Sequence, residues 1–376
     1  MIITGRYLPG FKDGGPVRSI LNLTEWFGDE YDIRIMCLDR DHRDTESYRG
    51  IEVKQYNTVG KARVWYTPAF TEEDIEKLSK EADVVYVCGP YNDYSRMAMK
   101  LKKEGKIKVP FYVASMGSFS PEAFKIKGLK KRLFVKYMKM TGMFRNVYWS
   151  VTSEREAEEL CAVIGKNARY IVAEDLARRT VSQHEANKEK GKLKIIFLSR
   201  ISRKKNLGFV PDILKEVKGD CLIDMDIYGI AEDEEYLKEC LDKFKSLPSN
   251  ISWEYKGELE SDAVPKVFAD YDAFLFPTLG ENYGHVIAEA LAAGCVPVIS
   301  DTTPWLDFDS RDCGYVISLD DVSSFAKAVE ELAALDEAQY REKIKKCYDY
   351  IDEKNRNASE NSGYRLIFDL TKTMTV

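Results

Sequence analysis

Residues 273–301 read AFLFPTLGENYGHVIAEALAAGCVPVISD. Ala273 to Pro277 is a short apolar run, the pattern of a strand buried on both faces. Leu279 to Tyr283 is a loop, and Gly284 to Ala293 is a short helix of small and aliphatic residues. Gly294 stands where a C′ glycine closes a helix. Val296 to Ser300 is a second buried strand. Strand, loop, helix, strand puts the loop at a strand's carboxyl end and at a helix's amino end. In an open α/β sheet ligands bind there, and the amides of a helix start suit an anion, phosphate above all. Two acids eight residues apart bracket the helix start, Glu281 and Glu289. Glu289 sits among Val286, Ile287, Ala288, Ala290 and Leu291, where an ionised carboxylate without a partner is costly. As an isolated pair the two acids also fit a loop acid and the wet face of a helix.

Working outward, the same alternation fills the chain. Ile2–Thr4, Asp32–Leu38, Ile51–Tyr56, Asp83–Cys88, Pro110–Ala114, Asn146–Thr152 and Arg169–Ala173 are strand candidates, with helical segments such as Glu72–Ala82 and Ser153–Ile164 between them. Ser153-x-x-Glu156 reads as a capping box. Residues 178–192, RRTVSQHEANKEKGK, are polar and aperiodic and read as a linker. A second alternation follows: strands at 193–199, 222–228, 251–255 and 315–318, helices at 206–217, 233–244 and 262–269. The pattern predicts α/β architecture with two parallel, doubly wound, Rossmann-like sheets. The first domain is expected over 1–177, the second over 178–356, with a last helix near 359–370 belonging to 357–376.

Composition bounds the function. The 376 residues are 44% hydrophobic and 31% charged, with a net charge of −6, which disfavours general nucleic-acid binding. No apolar run approaches the roughly 20 residues of a spanning helix. The opening MIITGRYLPG lacks a basic region followed by an apolar core, so a signal peptide is not expected and a cytoplasmic location is. Eight cysteines without a C-x-x-C pair are expected to be reduced and mostly buried. Three scattered histidines give no zinc pattern.

Glu281-Asn-Tyr-Gly-His-Val-Ile-Ala-Glu289-Ala-Leu, followed by Ala293-Gly-Cys-Val-Pro-Val-Ile299, resembles the E-x7-E signature of retaining glycosyltransferases of family 4. The resemblance implies the GT-B architecture, two Rossmann-like domains facing a cleft with a C-terminal helix crossing back to the first. It implies that Glu289 binds the ribose of a nucleotide-sugar and that Glu281 faces the sugar. The amides of Asn282, Tyr283, Gly284, His285 and Val286 would line the sugar and diphosphate. After the strand at 193–199 comes Arg200-Ile-Ser-Arg-Lys-Lys205, a basic loop at a strand's carboxyl end. It resembles the family's Arg-x4-Lys pair, which assigns Arg200 and Lys205 to the diphosphate. Gly14 and Gly15, before a helix with Pro16 in its first turn, allow close backbone approach to a ligand. Related enzymes carry a similar pair that touches donor phosphates or acceptor.

The resemblance implies transfer of a sugar, a UDP-sugar being the expected donor, to a hydroxyl with retention. The expected acceptor is a lipid-linked saccharide or another saccharide. No cofactor is expected. Asp224-Met-Asp226 looks like a metal-binding D-x-D, but strand alternation places both acids on one strand face, and no metal is assigned. From Ala123 to Arg145 there are eight Lys or Arg and no acid, interleaved with apolar residues. Lys125, Lys127, Lys130, Lys131, Arg132 and Lys136 form the expected patch for an anionic membrane face or the acceptor. Two departures from the family concern the acceptor side: Ser115-Met116-Gly117 lacks the usual basic residue before its glycine, and Ala173-Glu174-Asp175-Leu176 replaces Asn-Gly. Two rivals remain at this point: a nucleotide-dependent dehydrogenase, which has Asp39 but lacks the glycine fingerprint, and a non-catalytic partner in polysaccharide assembly.

Overall fold

The computed structural model describes residues 1–10, 12–125, 128–179, 188–218, 221–260, 262–360 and 362–369. Lys127, the side chain of Lys125 and linker residues 180–187 lie outside these. The chain divides into two compact units, 1–176 with 357–376, and 177–356.

The first unit is built on β1 (Ile2–Ile3), β2 (Ile33–Leu38), β3 (Tyr56–Val59), β4 (Ala62–Thr67), β5 (Val85–Cys88), β6 (Phe111–Ala114), β7 (Tyr148–Val151) and β8 (Tyr170–Val172). They form one sheet in the order β3-β4-β2-β1-β5-β6-β7-β8. Only the β3–β4 pairing is antiparallel. Strand alternation sends Ile3, Met36, Val87 and Val113 into one apolar layer and Ile2, Ile35, Tyr86 and Tyr112 into the other. The strand expected over 51–56 is replaced by the hairpin β3–β4. Lys54 is left-handed at φ 58° and donates to the Tyr66 carbonyl, and Gly60 at φ 56° turns the chain back in two residues.

The second unit adds β9 (Lys192–Leu198), β10 (Leu222–Tyr228), β11 (Ile251–Gly257), β12 (Ala273–Phe276), β13 (Val296–Ser300) and β14 (Tyr315–Ile317). All pair in parallel, in the order β11-β10-β9-β12-β13-β14. Counted from β9, this is the doubly wound order 3-2-1-4-5-6. The helix expected from Asn206 begins only at Val210. Asn206 adopts the left-handed conformation, and two short 3₁₀ turns precede the helix Val210–Glu216.

The chain re-enters the first unit at Asn357. The expected single last helix is broken. A long helix, Glu337–Glu360, ends, and Ser362 caps a second one, Gly363–Phe368, by accepting from the Tyr364 amide. Tyr364 and Ile367 are buried in the layer that holds Phe27 and Tyr86. Arg365 grips Glu30 at 2.8 Å, and Tyr364 donates to Asp175, which also accepts from Ser19. The Asp175 of the second family departure is therefore a buried clasp inside the first unit.

Candidate active site

In the second unit β9 and β12 are neighbours although the chain builds β10 and β11 between them. The order reverses here, and the connections leaving the carboxyl ends of the two strands stand side by side, the position where doubly wound sheets take ligands. These connections are the basic loop 199–206 and the loop 277–284. Three hydrogen bonds to backbone carbonyls join them. The Leu279 amide donates to the Lys204 carbonyl (2.8 Å), Asn206 Nδ2 to the Pro277 carbonyl (2.9 Å), and Thr278 Oγ1 to the Lys204 carbonyl (3.2 Å). Hydroxyls at the end of β13 hold the base of the second loop, since Ser300 Oγ and Thr302 Oγ1 both donate to the Thr278 carbonyl, at 2.6 and 2.7 Å. Gly229 closes β10 at φ 147°, and a Cβ there would lie 1.7 Å from the Ser199 carbonyl oxygen, so only glycine lets the basic loop start where it does.

The joined loops bring Lys205 and Glu281 together. Lys205 Nζ lies 2.5 Å from Glu281 Oε1, with the side chains only 14% and 11% exposed. Thr278 Oγ1 adds a second contact to the same carboxylate at 3.3 Å, and the ammonium sits 5.4 Å from the Phe276 ring centroid. Arg200 is half-exposed and paired with Glu232 across the β9 and β10 ends. Arg203 is spent elsewhere, on Glu239 and on the Tyr236 ring face.

The helix His285–Ala293 starts beside this pair. Its N-cap, Gly284, is left-handed (φ 84°, ψ 58°), and no side chain caps the first turn. A Cβ on Gly284 would press 2.9 Å from Ile287 Cδ1. The preceding carbonyl, that of Tyr283, is held by the indole N–H of buried Trp305 at 2.5 Å. That bond fixes the Tyr283–Gly284 peptide with its oxygen on the Trp305 side. The Tyr283 ring packs on Trp305 and on His285, at 5.3 and 4.8 Å between centroids. Asn282, His285 and Val286 are partly exposed, and Glu289 is 8% exposed on the helix's second turn. The arrangement offers an anion a lysine, an arginine and a helix start, with a carboxylate on either side. Charge developing on a departing diphosphate is the kind such groups stabilise.

Arg200, Lys205, Glu281 and Glu289, expected from the sequence, stand on these loops and this helix, and the structure adds Asn206, Thr278, Ser300, Thr302 and Trp305 around them. The hydroxyls carried a signal, since they end or lie within two residues of two buried strands. Trp305 carried none, because its bond reaches 22 residues back.

Asp224 and Asp226 lie on the solvent side of β10, engaged with Ser252 and with Tyr271. Among the described residues no cluster of three His, Cys, Asp or Glu is placed to hold a metal.

Gly14 and Gly15 belong to the first unit. Gly14, at φ 64°, heads the helix Gly15–Phe27, and the space beside Gly15 is open. Met116 and Gly117 are both left-handed, and buried Glu156 holds their loop by accepting the Gly117 amide. Glu156 also accepts from the Thr152 amide at 2.6 Å, whereas Ser153 accepts from the Glu156 amide. The expected capping box is therefore half-formed, its carboxylate drawn to the Met116 loop. In the basic patch Lys130, Arg132 and Lys136 are exposed on the helix Gly128–Met140. Lys131 is turned inward instead: it donates to the Ala123 carbonyl at 2.7 Å and stands over the Tyr91 and Phe124 rings.

Residues 179–348 match the family described as glycosyl transferases group 1. The matched stretch falls within the second unit. Over the longer chain, a protein described as an uncharacterized 41.2 kDa protein in the cps region of Klebsiella pneumoniae is 21% identical over 94% of this chain and 96% of its own. Sucrose-phosphate synthase of Thermosynechococcus elongatus superposes with a TM-score of 0.69 at 13% identity, covering 98% of both chains. The Anabaena protein HepE, solved with UDP and glucose, superposes with a TM-score of 0.60 at 13% identity, covering 94% of this chain and 98% of that one. These likenesses establish the fold, two parallel-sheet Rossmann-like domains of the GT-B kind.

Proposed function

We propose that this protein is a retaining glycosyltransferase of the family 4 type, transferring a sugar from a UDP-sugar to a hydroxyl of a lipid-linked saccharide in surface-polysaccharide synthesis. The observation that carries the reading is the buried Lys205–Glu281 pair set against the uncapped start of the helix that carries Glu289. Glu289 takes the ribose hydroxyls. The amides from Asn282 to Val286 take the diphosphate, with Gly14 and Gly15 assigned to the same donor. Lys205 and Arg200 neutralise the charge that builds on the leaving diphosphate as the sugar's anomeric bond breaks. Glu281 faces the sugar.

No side-chain nucleophile is assigned. The acceptor hydroxyl attacks the face from which the diphosphate leaves and passes its proton to the departing phosphate, so the anomeric configuration is kept. The two lysine and arginine cations do the charge stabilisation that a metal does elsewhere, and turnover is independent of added metal. Donor chemistry of this kind agrees with HepE having been solved with UDP and glucose, and the polysaccharide setting with the relative in a cps region. Among the described residues no helix is long and apolar enough to cross a membrane. Peripheral contact with an anionic membrane face on the cytoplasmic side, through Lys130, Arg132 and Lys136, completes the proposal.

Thermal melting with UDP, GDP and NAD in turn tests the nucleotide. UDP at a hundred times its Kd should stabilise by about 2.7 kcal/mol. A shift with NAD and none with UDP would sink the proposal. NMR of the first-formed product then reads the anomeric configuration, and an inverted product would remove the retaining mechanism.

A further inference from the structure

The helix Gly128–Met140 leaves one face without a partner. Leu129, Leu133, Tyr137 and Met140 are 74%, 59%, 57% and 78% exposed. At spacings of four, four and three residues they form one straight ridge. The opposite face, Val135 and Met138, is buried in the first unit. Exposed lysines and an arginine flank the ridge: Lys130 on one side, Arg132, Lys136 and Lys139 on the other. In a chain of net charge −6 this helix carries no acid.

On the side of Arg132, Lys136 and Lys139 the helix borders a cavity of about 700 Å³. Phe119, Phe124, Val135 and Val163 give it a largely apolar lining. Arg132, Lys136 and Lys139 line it as well, and Met140 belongs to both the cavity and the ridge. One acid, Glu159, also lines it, with Arg155 3.5 Å away. The volume falls within the range of small-molecule sites. A free phosphate needs the cations but not the apolar walls, and a neutral hydrocarbon needs the walls but not the cations. A molecule with both parts uses the whole site.

We propose that this cavity binds a single anionic lipid, its phosphate held by Arg132, Lys136 and Lys139 and one hydrocarbon chain lodged between Phe119, Phe124, Val135 and Val163. The ridge then rests in the bilayer from which the chain is drawn. The site supplies a specific lipid contact, beyond the diffuse attraction of basic residues for an anionic surface. It rests on the membrane contact proposed above for Arg132 and Lys136, but uses none of the donor-site residues, so it and the donor reading stand or fall separately.

Calorimetric titration of the full chain with alkyl phosphates from hexyl to dodecyl, each below its micelle concentration, tests it. Affinity should rise about fourfold per added methylene until the cavity is full. Inorganic phosphate and decanol should each bind at least about tenfold more weakly than decyl phosphate. Val163→Trp fills the cavity and should weaken decyl phosphate about tenfold or more while leaving stabilisation by UDP unchanged. Lys136→Glu should do the same to decyl phosphate and spare decanol. If Val163→Trp does not fold, Lys136→Glu decides the question. Affinity that does not change with chain length, or decyl phosphate that binds Lys136→Glu as well as the parent, overturns the proposal. So do vesicle binding without alkyl phosphate binding and equal binding of decanol and decyl phosphate. Failure of UDP to stabilise the parent chain bears on the donor site alone.

Discussion

Replacing Lys205 by Met and Glu281 by Gln, singly and together, separates a buried functional pair from a decorative one. The pair is 2.5 Å apart and nearly closed to water on both sides. At an effective dielectric of 20 two charges 4 Å apart attract by roughly 4 kcal/mol, and removing one partner of a buried pair costs about 3–5 kcal/mol because the other charge stays behind. Lys205→Met leaves the Glu281 carboxylate with only the Thr278 hydroxyl at 3.3 Å among its described hydrogen bonds. The single variant should therefore lose about 3 kcal/mol in urea unfolding followed by tryptophan fluorescence. The double variant should recover at least about 1 kcal/mol of the summed losses. The effects on UDP should have opposite signs. Lys205→Met removes a charge-assisted hydrogen bond to the diphosphate, about 1.5–3 kcal/mol, or roughly ten- to 150-fold in Kd. Glu281→Gln releases the ammonium from its carboxylate and should tighten UDP by up to about tenfold while lowering sugar transfer. Losses that simply add, or UDP affinities that move in the same direction in both singles, would refute the reasoning.

Four other substitutions read neighbouring parts of the site. Glu289→Ala should weaken UDP by about 1.5–3 kcal/mol with little loss of stability, measured by calorimetry; unchanged affinity would remove the ribose role. Arg200→Ala should lower turnover, whereas Glu232→Gln should raise UDP affinity by at most about 1 kcal/mol, since the Arg200–Glu232 pair is close to half-exposed on both sides; strong weakening in the second variant would mean that Glu232 itself touches the donor. Trp305→Phe keeps an aromatic ring but removes the donor to the Tyr283 carbonyl; it should cost about 1–3 kcal/mol of stability and weaken UDP as well, and intact UDP binding in a destabilised protein would make Trp305 purely structural.

The local order of the second unit was readable because it rests on nearest-neighbour rules. Buried parallel strands leave uninterrupted apolar runs, and glycines mark the turns. The run 273–276, the C′ glycine Gly294 and the strand 296–300 follow from the sequence within a residue or two, whereas Gly284, expected as the first helical residue, is a left-handed N-cap. The α/β class with two doubly wound sheets follows from the alternation. Where local rules compete, contacts from elsewhere in the chain decide. Tyr56 to Thr67 folds as a hairpin through a Gly60-Lys61 turn that carries little sequence signal, and Asn206 gave up a helical start for a bond to Pro277.

What the sequence alone determined was which chemical groups are present and on which element each stands: two acids on a loop and helix, two cations after a strand, a basic helix. Tertiary structure alone decided what they meet. Lys205 and Glu281 are 76 residues apart in the chain and touch only because β9 and β12 pair across the reversal of strand order. Arg200 meets Glu232 through the β9–β10 pairing, and the Tyr283 carbonyl is turned by an indole 22 residues away. The basic segment shows the same division. Its charge was visible in the composition, but its apolar ridge exists only because Val135 and Met138 take the inward face and leave Leu129, Leu133, Tyr137 and Met140 outside. Partners of this kind are set by sheet order and by which helix face is buried, and both are properties of contacts between segments far apart in the chain.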